Sequence, residues 1–195
     1  KFKKIILLKQ IHSNKFHFVD KNLKLKNYNF EGDALITNKK EFPIAILTAD
    51  CAPILIYDEK EKMIAAIHAG WKGAFKGIIK RTLNFMIKKG CAPKNITAVI
   101  GPCISLKNYE VKKDFIKKLI KKDGKNKKFF KKIKNKDFFN LKKYVHSQLK
   151  ALNIKKIDII NKDTFNPKNN FFSARRSISR NENDYGRNIS VIMIN

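Results

Sequence analysis

Residues 48–73 read TADCAPILIYDEKEKMIAAIHAGWKG, and the rest of the chain is organised around this stretch. Two short apolar runs, 52–57 and 63–67, have the length of β-strands, and the charged residues 58–62 between them predict a hairpin loop. In an antiparallel pair, the residue before the first strand and the residue after the second lie at the same end. We therefore expect the thiol of Cys51 and the imidazole of His68 to lie close together.

A cysteine and a histidine at one end of a hairpin, followed by glycines, suit more than one kind of site. Gly70 and Gly73 follow His68 closely, at a point where the chain must turn and its backbone can approach another group. A thiolate and an imidazole can bind a metal ion, or they can form a Cys–His pair for nucleophilic catalysis. A buried structural cysteine beside a turn histidine has the same sequence pattern. The residues alone leave these three interpretations open.

Apolar periodicity along the rest of the chain predicts strands that alternate with amphipathic helices. Further strands are predicted at 5–8, 35–37, 43–48, 96–100, 157–160 and 189–194. Helices are predicted over 73–89, 111–120 and 138–152. Residues 14–30 predict a strand and a loop, and the lysine-rich stretch 121–137 predicts a mobile loop or a solvated helix face. This mixture of elements indicates an α/β or α+β fold with a mixed sheet.

The length and the cysteines set broad limits on the protein. A chain of 195 residues with 43% hydrophobic residues is long enough to bury a core, and we expect one domain over 1–195. Three cysteines without regular spacing do not suit a disulfide framework, and a thiolate that binds metal suits a reducing compartment. No stretch has the length of a membrane span or of a signal-peptide core. We therefore expect a cytoplasmic protein with no membrane partner.

The charge of the chain is extreme. It has 44 basic and 16 acidic residues, which gives a formal net charge of +28. A basic field attracts polyanions, so a protein that binds nucleic acid or an acidic polymer is one interpretation. The lysines are spread along the whole chain, and no nucleic-acid-binding motif is present. We therefore expect no specific nucleic-acid partner. We regard the lysines as residues that occupy solvent-exposed positions without a role in binding.

Five short motifs give the chain a family resemblance. It resembles the YfiH family of laccase-domain proteins, also called multicopper polyphenol oxidoreductases, whose motifs are TADC-x-P, HAGW-[RK]-G, GP-x-I, FFS-x-RR and GR. The chain carries them in that order as TADCAP at 48–53, HAGWKG at 68–73, GPCI at 101–104, FFSARR at 171–176 and GR at 186–187. The resemblance implies a sandwich of mixed β-sheets with flanking helices.

The resemblance also implies a metal centre. In the family a metal ion, usually zinc, is bound by the cysteine of TADC, the histidine of HAGW and a histidine in an upstream QVHG. The corresponding residues are Cys51, His68 and, in QIHS at 10–13, His12. Ser13 stands where the family usually has glycine. Three protein ligands are typical of a catalytic zinc with an open fourth position, and copper is the less favoured metal.

The family is described as purine nucleoside phosphorylases with adenosine deaminase activity, which implies a purine nucleoside and phosphate as small-molecule partners. The sequence does not indicate an oligomeric state. Cys51 and His68 would be catalytic as well as metal-binding. Asp50, beside Cys51, would either orient a ligand histidine or act as the general acid or base.

Arginine is scarce in this lysine-rich chain, and three arginines fall in the C-terminal motifs. Arg175 and Arg176 belong to FFSARR, and Arg187 belongs to GR. Because an arginine fork can bind phosphate or carboxylate through two hydrogen bonds, we expect these residues on adjacent strands, where they bind the anionic substrate. The alternative is that they form salt bridges with the nearby acids Glu182 and Asp184.

Other activities stay open as alternatives. A copper-dependent polyphenol oxidase would need many imidazole ligands, whereas the chain has four histidines. A thiol hydrolase or deamidase would use Cys51 and His68 without a metal. A protein that binds polyanions through its charge would not be an enzyme. Cys103, which follows a predicted strand, is either a second functional thiol or a small buried residue.

Overall fold

The computed structural model describes residues 4–20 and 30–195, in which strands and helices are mixed along the chain. The strands are β1 (Phe16–Val19), β2 (Ala34–Thr37), β3 (Ile44–Thr48), β4 (Ala52–Asp58), β5 (Met63–Ala69), β6 (Ile96–Ile100), β7 (Glu110–Val111), β8 (Phe130–Ile133), β9 (Lys136–Phe139), β10 (Lys156–Ile159) and β11 (Asn188–Ile192). The α-helices are α1 (Trp71–Lys76), α2 (Ile78–Lys88), α3 (Lys113–Lys122), α4 (Leu141–Ala151) and α5 (Ala174–Ser179). The predicted α+β class is confirmed.

The largest sheet of the described residues is mixed, with the strand order β1-β2-β5-β4-β6-β10. Its outer pairs, β1 with β2 and β6 with β10, are parallel, whereas the pairs between β2, β5, β4 and β6 are antiparallel. A second sheet pairs β3 with β11, and a third has the order β7-β9-β8. The expected sandwich of mixed sheets with flanking helices is therefore present.

The layers are held together by apolar clusters on the two faces of the main sheet. On one face, Ile54 of β4 shares a buried cluster with Leu83 of α2 and Val145 of α4. On the other face, Ile64 of β5 shares a cluster with Ile46 of β3. Because β3 packs against the sheet and pairs with β11, it is buried almost throughout, as its continuous apolar run predicts.

The predicted hairpin is formed by β4 and β5, whose register pairs Ala52 with Ala69 and Asp58 with Met63. Every residue of β5 is buried, so both faces of this strand are covered. The strand is two residues longer than the run 63–67 predicts, and His68 lies within it, opposite Pro53. Cys51 lies just before β4, at the same end of the hairpin.

The single helix predicted over 73–89 is wrong, because the chain forms two helices there. Gly77 ends α1 and precedes α2 with a φ of 90°, in the left-handed region that favours glycine. A side chain at Gly77 would meet nothing within 4 Å, so the turn alone requires the glycine. The predicted apolar face of α2 is confirmed, with Ile79, Leu83 and Met86 all buried.

The lysine-rich stretch 121–137 is neither the loop nor the solvated helix face that its composition predicts. It contains the end of α3, a 3-10 turn at Gly124–Phe129 and the hairpin of β8 and β9. Aromatic residues fasten this segment to the core, since Phe129 and Phe139 are buried and both rings pack against Tyr144. The lysines occupy the exposed positions between these anchors.

Smaller corrections concern the ends of elements. Residues 5–8 form no strand, and Ile6 makes only an isolated bridge to Ile44. The helix predicted at 111–120 begins later, after the short strand β7, and α4 begins at Leu141 because the two preceding phenylalanines belong to β9. β1 supplies the strand expected within 14–30, and 21–29 lie outside the described residues. No helix in the described part of the chain has the length and apolarity of a membrane span.

Candidate metal and anion site

Three potential metal ligands meet at one end of the β4–β5 hairpin. His12 lies in the loop before β1, Cys51 precedes β4, and His68 is the last residue but one of β5, which leads to α1. Their ligand atoms all lie within 4.8 Å of one another, and Cys51 Sγ is 3.7 Å from His12 Nε2. The structure therefore brings together the three residues that the sequence motifs single out.

Asp33, a residue for which the sequence predicts no role in the site, connects two of these segments. Its carboxylate accepts a hydrogen bond from Nδ1 of His68 at 2.8 Å. It also accepts from the backbone N–H of His12 at 3.0 Å and from that of Ser13 at 2.5 Å. Because Nδ1 of His68 is engaged in this way, Nε2 is the ring nitrogen that is free to face Cys51 and His12.

Gly70 is the glycine that the site requires for a close approach. A Cβ atom at this position would lie 2.7 Å from Cys51 Sγ and 2.9 Å from His12 Cδ2. Real Cβ atoms do not come so close to sulfur or to a ring carbon, so any larger residue would displace both side chains. The bare backbone of Gly70 thus forms one wall of the space between the ligands.

The electrostatics of the three groups favour a thiolate beside imidazoles. Burial alone would raise the pKa of Cys51, but hydrogen bonds and charge from His12 and His68 outweigh burial and lower its pKa to about 7. Burial alone would lower the pKa of His68, but Asp33 and Cys51 raise it to about 9. Burial would likewise raise the pKa of Asp33, but its bonds from His68 and Ser13 lower it to about 2.

The donor set fits a zinc ion. Zinc is bound by thiolate sulfur and imidazole nitrogen at about 2.0–2.3 Å, and tetrahedral geometry then separates its ligand atoms by about 3.3–3.8 Å. The separation of 3.7 Å between Cys51 Sγ and His12 Nε2 lies in that range. Among the described residues, no other group of three or more His, Cys, Asp or Glu side chains has a comparable arrangement. The fourth position would be open toward solvent, since His12 is exposed.

The three residues open into a cavity of about 530 Å³, a volume typical of small-molecule sites. Basic and aromatic side chains dominate its polar wall. They are Lys72, Arg175, Arg187, Trp71, Tyr109 and Tyr185. The remaining wall is largely apolar and includes Leu47, Ile104 and Ile178. The cavity therefore combines the three potential metal ligands with positive charge and flat rings.

Two arginines of the cavity are held against tyrosine rings. The guanidinium of Arg175 lies 5.4 Å from the ring centre of Tyr109 and donates to the carbonyl of Glu110 at 3.0 Å. The guanidinium of Arg187 lies 4.0 Å from the ring centre of Tyr185. Arg187 also donates a hydrogen bond to the carbonyl oxygen of Tyr185. Cation–π contacts of this kind restrain the guanidinium groups, and their remaining N–H groups can bind an anion.

The comparisons with known proteins agree with this architecture. Residues 1–195 match the model of a family described as multi-copper polyphenol oxidoreductase laccase. The chain belongs to this family. A protein of Rickettsia conorii named purine nucleoside phosphorylase is 37% identical over 187 residues, which are 95% of this chain and 75% of that protein. A protein of Haemophilus influenzae with the same name is 34% identical, over 96% of this chain and 73% of that protein.

Solved structures of similar proteins share the fold of this laccase-family chain. The hypothetical protein YfiH of Bacillus licheniformis superposes with a TM-score of 0.86, at 27% identity, over 98% of this chain and 74% of that chain. A Neisseria meningitidis protein gives a TM-score of 0.84, also at 27% identity, over 98% of this chain and 75% of that chain. The YfiH resemblance that the motifs predict is thus confirmed.

Arg176 does not join the other two arginines of this family member. It is absent from the cavity wall, and its guanidinium donates to the carbonyl oxygens of Thr164, Phe165 and Phe171 at 2.6–3.0 Å. The expected placement of the arginines on adjacent strands is also wrong, since Arg175 and Arg176 lie in helix α5. Successive residues of a helix point in different directions, which places the two side chains in different surroundings.

The alternative pairing of the arginines with nearby acids holds only in part. Arg187 approaches Asp184 at 4.0 Å, but the Asp184 side chain is 92% exposed, so this pair is weak. Glu182 lies 3.8 Å from Arg180 instead. Among the described residues, Arg175 makes no such salt bridge.

Asp50 lies in the cavity wall but does not orient a ligand histidine, because Asp33 makes that contact. The carboxylate of Asp50 accepts from the hydroxyl of Thr164 and from the backbone N–H of Arg175, both at 2.7 Å. Its φ of 85° is unusual for a residue other than glycine. Asp50 thereby connects the cysteine loop to the start of α5, and its role as general acid or base stays a prediction.

The other cysteines lie outside the site. Cys91 and Cys103 are buried, and neither is among the residues that line the cavity. Burial raises the pKa of each thiol to about 12. A thiol of this kind is a small apolar residue at neutral pH, which favours the structural interpretation of Cys103.

Proposed function

We propose that this chain is a zinc-dependent purine nucleoside phosphorylase. The observation that carries the proposal is the cavity, which is lined by three potential metal ligands and by two arginines in contact with tyrosine rings. Relatives that bear the name purine nucleoside phosphorylase support the same conclusion, because their similarity extends over nearly the whole chain. Residues 1–195 act as one domain in this proposal, since the cavity draws on His12 and Arg187 from opposite ends of the chain.

His12, Cys51 and His68 would bind the metal ion. One thiolate and two imidazoles are a donor set that zinc accepts readily, and three protein ligands leave a position open for water or substrate. When bound, zinc would supply Lewis-acid chemistry and a water molecule whose pKa is lowered to about 7. The residues themselves hold the ligand atoms close together, and Gly70 provides the space between them.

Arg175 and Arg187 would bind the phosphate. Phosphorolysis forms a bond between a phosphate oxygen and C1′ of the ribose while the bond from C1′ to N9 of the purine breaks. The purine leaves with a proton, and the sugar becomes ribose 1-phosphate. Two guanidinium groups in one cavity can hold the phosphate in place and offset its charge as it approaches the sugar. Lys72, which also lines the cavity, would add to this positive field.

The aromatic wall would hold the purine. Trp71 and Tyr109 both line the cavity that holds the positively charged groups. Flat rings offer a purine base a stacking surface that depends little on its substituents. The apolar side chains of Ile104 and Leu141 add an apolar surface against which the base can pack.

Adenosine deamination stays a second candidate, which rests on the open position of the metal site. In that reaction water adds at C6 of the purine and ammonia leaves, so that adenosine becomes inosine. A cavity that admits a nucleoside beside a three-ligand metal site supports this chemistry as well. It needs no phosphate, which allows the two activities to be separated.

The compartment of this activity would be the cytoplasm. All three cysteines are free thiols, and the arrangement of Cys51 depends on a thiolate. Free thiols persist where the surroundings are reducing.

The decisive experiment incubates the zinc-loaded protein with adenosine, with and without phosphate, and separates the products by chromatography. We expect adenine and ribose 1-phosphate only when phosphate is present. Inosine formed without phosphate would show deamination instead. If neither product forms and alkylation of Cys51 blocks an amide hydrolysis, the thiol hydrolase alternative is correct.

Arginine variants test the placement of the phosphate. Arg175→Ala and Arg187→Ala should each raise the phosphate concentration needed for half-maximal turnover by at least about tenfold, because a charge-assisted bond of about 1.5–3 kcal/mol is lost. Arg180→Ala is the matched control, since Arg180 is exposed and lies outside the cavity wall. An unchanged phosphate requirement in the double variant at 175 and 187 would show that the phosphate binds elsewhere.

A further inference from the structure

Asp33 lies at the junction between the two histidine-bearing segments of the site, although it does not line the cavity. It is fully buried just before β2, and its backbone carbonyl accepts from the N–H of His68 at 2.8 Å. Its carboxylate accepts four hydrogen bonds, all of them from residues 12, 13 and 68. A buried charge with this many donors is well compensated and firmly fixed in place.

The two carboxylate oxygens of Asp33 accept hydrogen bonds from different partners. Oδ1 accepts from the backbone of His12 at 3.0 Å and from the ring of His68 at 2.8 Å, so this one atom joins both ligand histidines. Oδ2 accepts from the backbone and the hydroxyl of Ser13, at 2.5 and 2.7 Å. The His12 loop therefore keeps its position relative to β5 through Asp33.

The same carboxylate controls the backbone of His12. His12 has a φ of 54°, in the left-handed region that residues other than glycine seldom adopt. The amides of His12 and Ser13 both point at Asp33, so the carboxylate offsets the cost of this conformation with two charge-assisted hydrogen bonds. In this conformation the ring of His12 turns toward Cys51.

We propose that Asp33 is a positioning residue, which holds both histidines in their metal-binding arrangement before the metal ion arrives. The inference rests on the metal site of the proposed function. Asp33 fixes the ring of His68 so that Nε2 is presented to the metal, and it fixes the loop that carries His12. A metal ion then meets ligands that are already ordered, so less conformational entropy is lost on binding.

Asp33→Asn is the informative substitution, because an amide offers one acceptor oxygen where the carboxylate offers two. Because Oδ1 accepts from both histidines and Oδ2 accepts from Ser13, the variant can keep only one of these two sets of bonds, and it must present an N–H₂ group to the donors of the other set. We expect the zinc affinity to fall by roughly 10–100-fold. The measurement is competition with a chromophoric zinc chelator, which does not depend on catalysis.

Asp58→Asn is the matched control. Asp58 is also fully buried, and it accepts from the backbone N–H groups of residues 60, 61 and 92. It lies at the opposite end of the same hairpin, away from the metal ligands. We expect this variant to lower the melting temperature while zinc affinity stays within about twofold of the wild type.

Ser13→Ala is a milder variant, which decides the question if Asp33→Asn fails to fold. It removes the hydroxyl that donates to Oδ2 of Asp33 and accepts from the backbone N–H of Lys15, and it leaves the carboxylate itself in place. We expect a drop of about two- to tenfold in zinc affinity, corresponding to the loss of the hydrogen bond to Asp33, of about 0.5–1.5 kcal/mol. If Asp33→Asn folds and binds zinc as tightly as the wild type, the proposed role of Asp33 is wrong. If Asp33→Asn does not fold, an unchanged zinc affinity in Ser13→Ala has the same consequence.

The wild-type titration separates this inference from the proposed function. If the wild type does not bind zinc, the metal site fails and the role of Asp33 fails with it. If the wild type binds zinc and Asp33→Asn binds it equally well, the metal site stands and only the positioning role is wrong. If Asp33→Asn and Asp58→Asn lose zinc affinity to the same extent, the effect is general destabilisation, and the positioning role is again wrong.

Discussion

At the scale of single residues, the three cysteines show how position determines chemistry. Cys51 lies between two imidazoles, which lower its pKa to about 7, whereas burial raises the pKa of Cys91 and Cys103 to about 12. The thiolate is the reactive form, so at neutral pH a large part of Cys51 and almost none of the other two thiols can react.

Thiol labelling of the metal-free protein tests this difference. Iodoacetamide should modify Cys51 at a rate that rises as the pH increases through about 7. The reason is that the lowered pKa lets the thiolate form at a lower pH than in an ordinary cysteine. Peptide mass spectrometry should find Cys91 and Cys103 unmodified until the protein is unfolded. Zinc added first should protect Cys51, and labelling that zinc does not slow would contradict Cys51 as a ligand.

Gly70→Ala tests the close approach at the metal site. The backbone of Gly70 has a φ of −68°, which alanine adopts readily, so only the contacts of the new Cβ with Cys51 and His12 should matter. We expect zinc affinity to fall at least about tenfold, since metal ligands tolerate displacements of only about 0.2 Å. Gly124→Ala, whose Cβ would meet nothing within 4 Å, should bind zinc like the wild type.

The residues of the site differ in how far the sequence could predict them. His12, Cys51 and His68 stand in recognisable motifs, and the hairpin pattern independently places two of them together. Asp33 could not be found in this way, because its partners lie 20 to 35 positions away and a lone acid before a strand has no distinctive signal. Arg175 and Arg176 are adjacent and chemically identical, so only the three-dimensional structure separates the cavity residue from the structural one.

At the scale of elements, the break between α1 and α2 is the feature that apolar spacing could not predict. The apolar positions of both helices follow one helical period, so their pattern reads as continuous. Gly77 interrupts it through its backbone, with a φ of 90° and N–H bonds to the carbonyls of Gly73 and Ala74. A glycine inside a helical pattern has two explanations, close packing or a turn, and sequence spacing does not distinguish them.

Gly77→Ala should therefore act through backbone strain alone. An alanine in the left-handed region costs about 1 kcal/mol or slightly more, which lowers the melting temperature by about 2–4 °C in a chain of this size. Calorimetry measures the shift, and zinc affinity should not change because the substitution creates no contact. Gly124→Ala is the control, and its free energy of unfolding should stay within about 0.5 kcal/mol of the wild type. If Gly77→Ala is as stable as this control, the backbone of Gly77 is not strained by a side chain.

The hairpin of β8 and β9 escaped prediction for a different reason. Its lysines dominate any average of hydropathy, and the aromatic residues that fasten it are few and unevenly spaced. Phe129 and Phe139 are nonetheless buried, because large rings contribute more buried area than their number suggests. The composition correctly predicts that the lysine side chains are exposed to solvent. It wrongly predicts that the whole segment is, because Phe129 and Phe139 are buried in the core.

At the scale of the whole molecule, the net charge of +28 contrasts with a site built from a few precise contacts. The described lysine and arginine salt bridges are mostly between exposed side chains, as in the pairs Lys9 with Glu31 and Lys136 with Glu110. Such pairs contribute little to stability and leave most of the positive charge uncompensated. The charge therefore creates a general field around the protein.

The field should give weak, salt-sensitive binding to any polyanion. Fluorescence anisotropy with duplex DNA and single-stranded RNA should show binding at low ionic strength that disappears at moderate salt, because phosphate contacts release counterions. Polyaspartate should compete as well as nucleic acid, since only charge is recognised. Nanomolar, sequence-dependent binding at physiological salt would be evidence for a nucleic-acid function.

The β4–β5 hairpin also limits where the chain can change length during evolution. One end of the hairpin carries the site, and the loop at the other end is separated from it by strands of seven residues, about 23 Å. A one-residue insertion within β5 ahead of His68 would turn the side chains that follow it to the opposite face of the sheet, and would take His68 out of the site. An insertion in the loop would leave that alternation intact. Descendants of this gene should therefore vary in length at residues 59–62 and keep the spacing on either side unchanged.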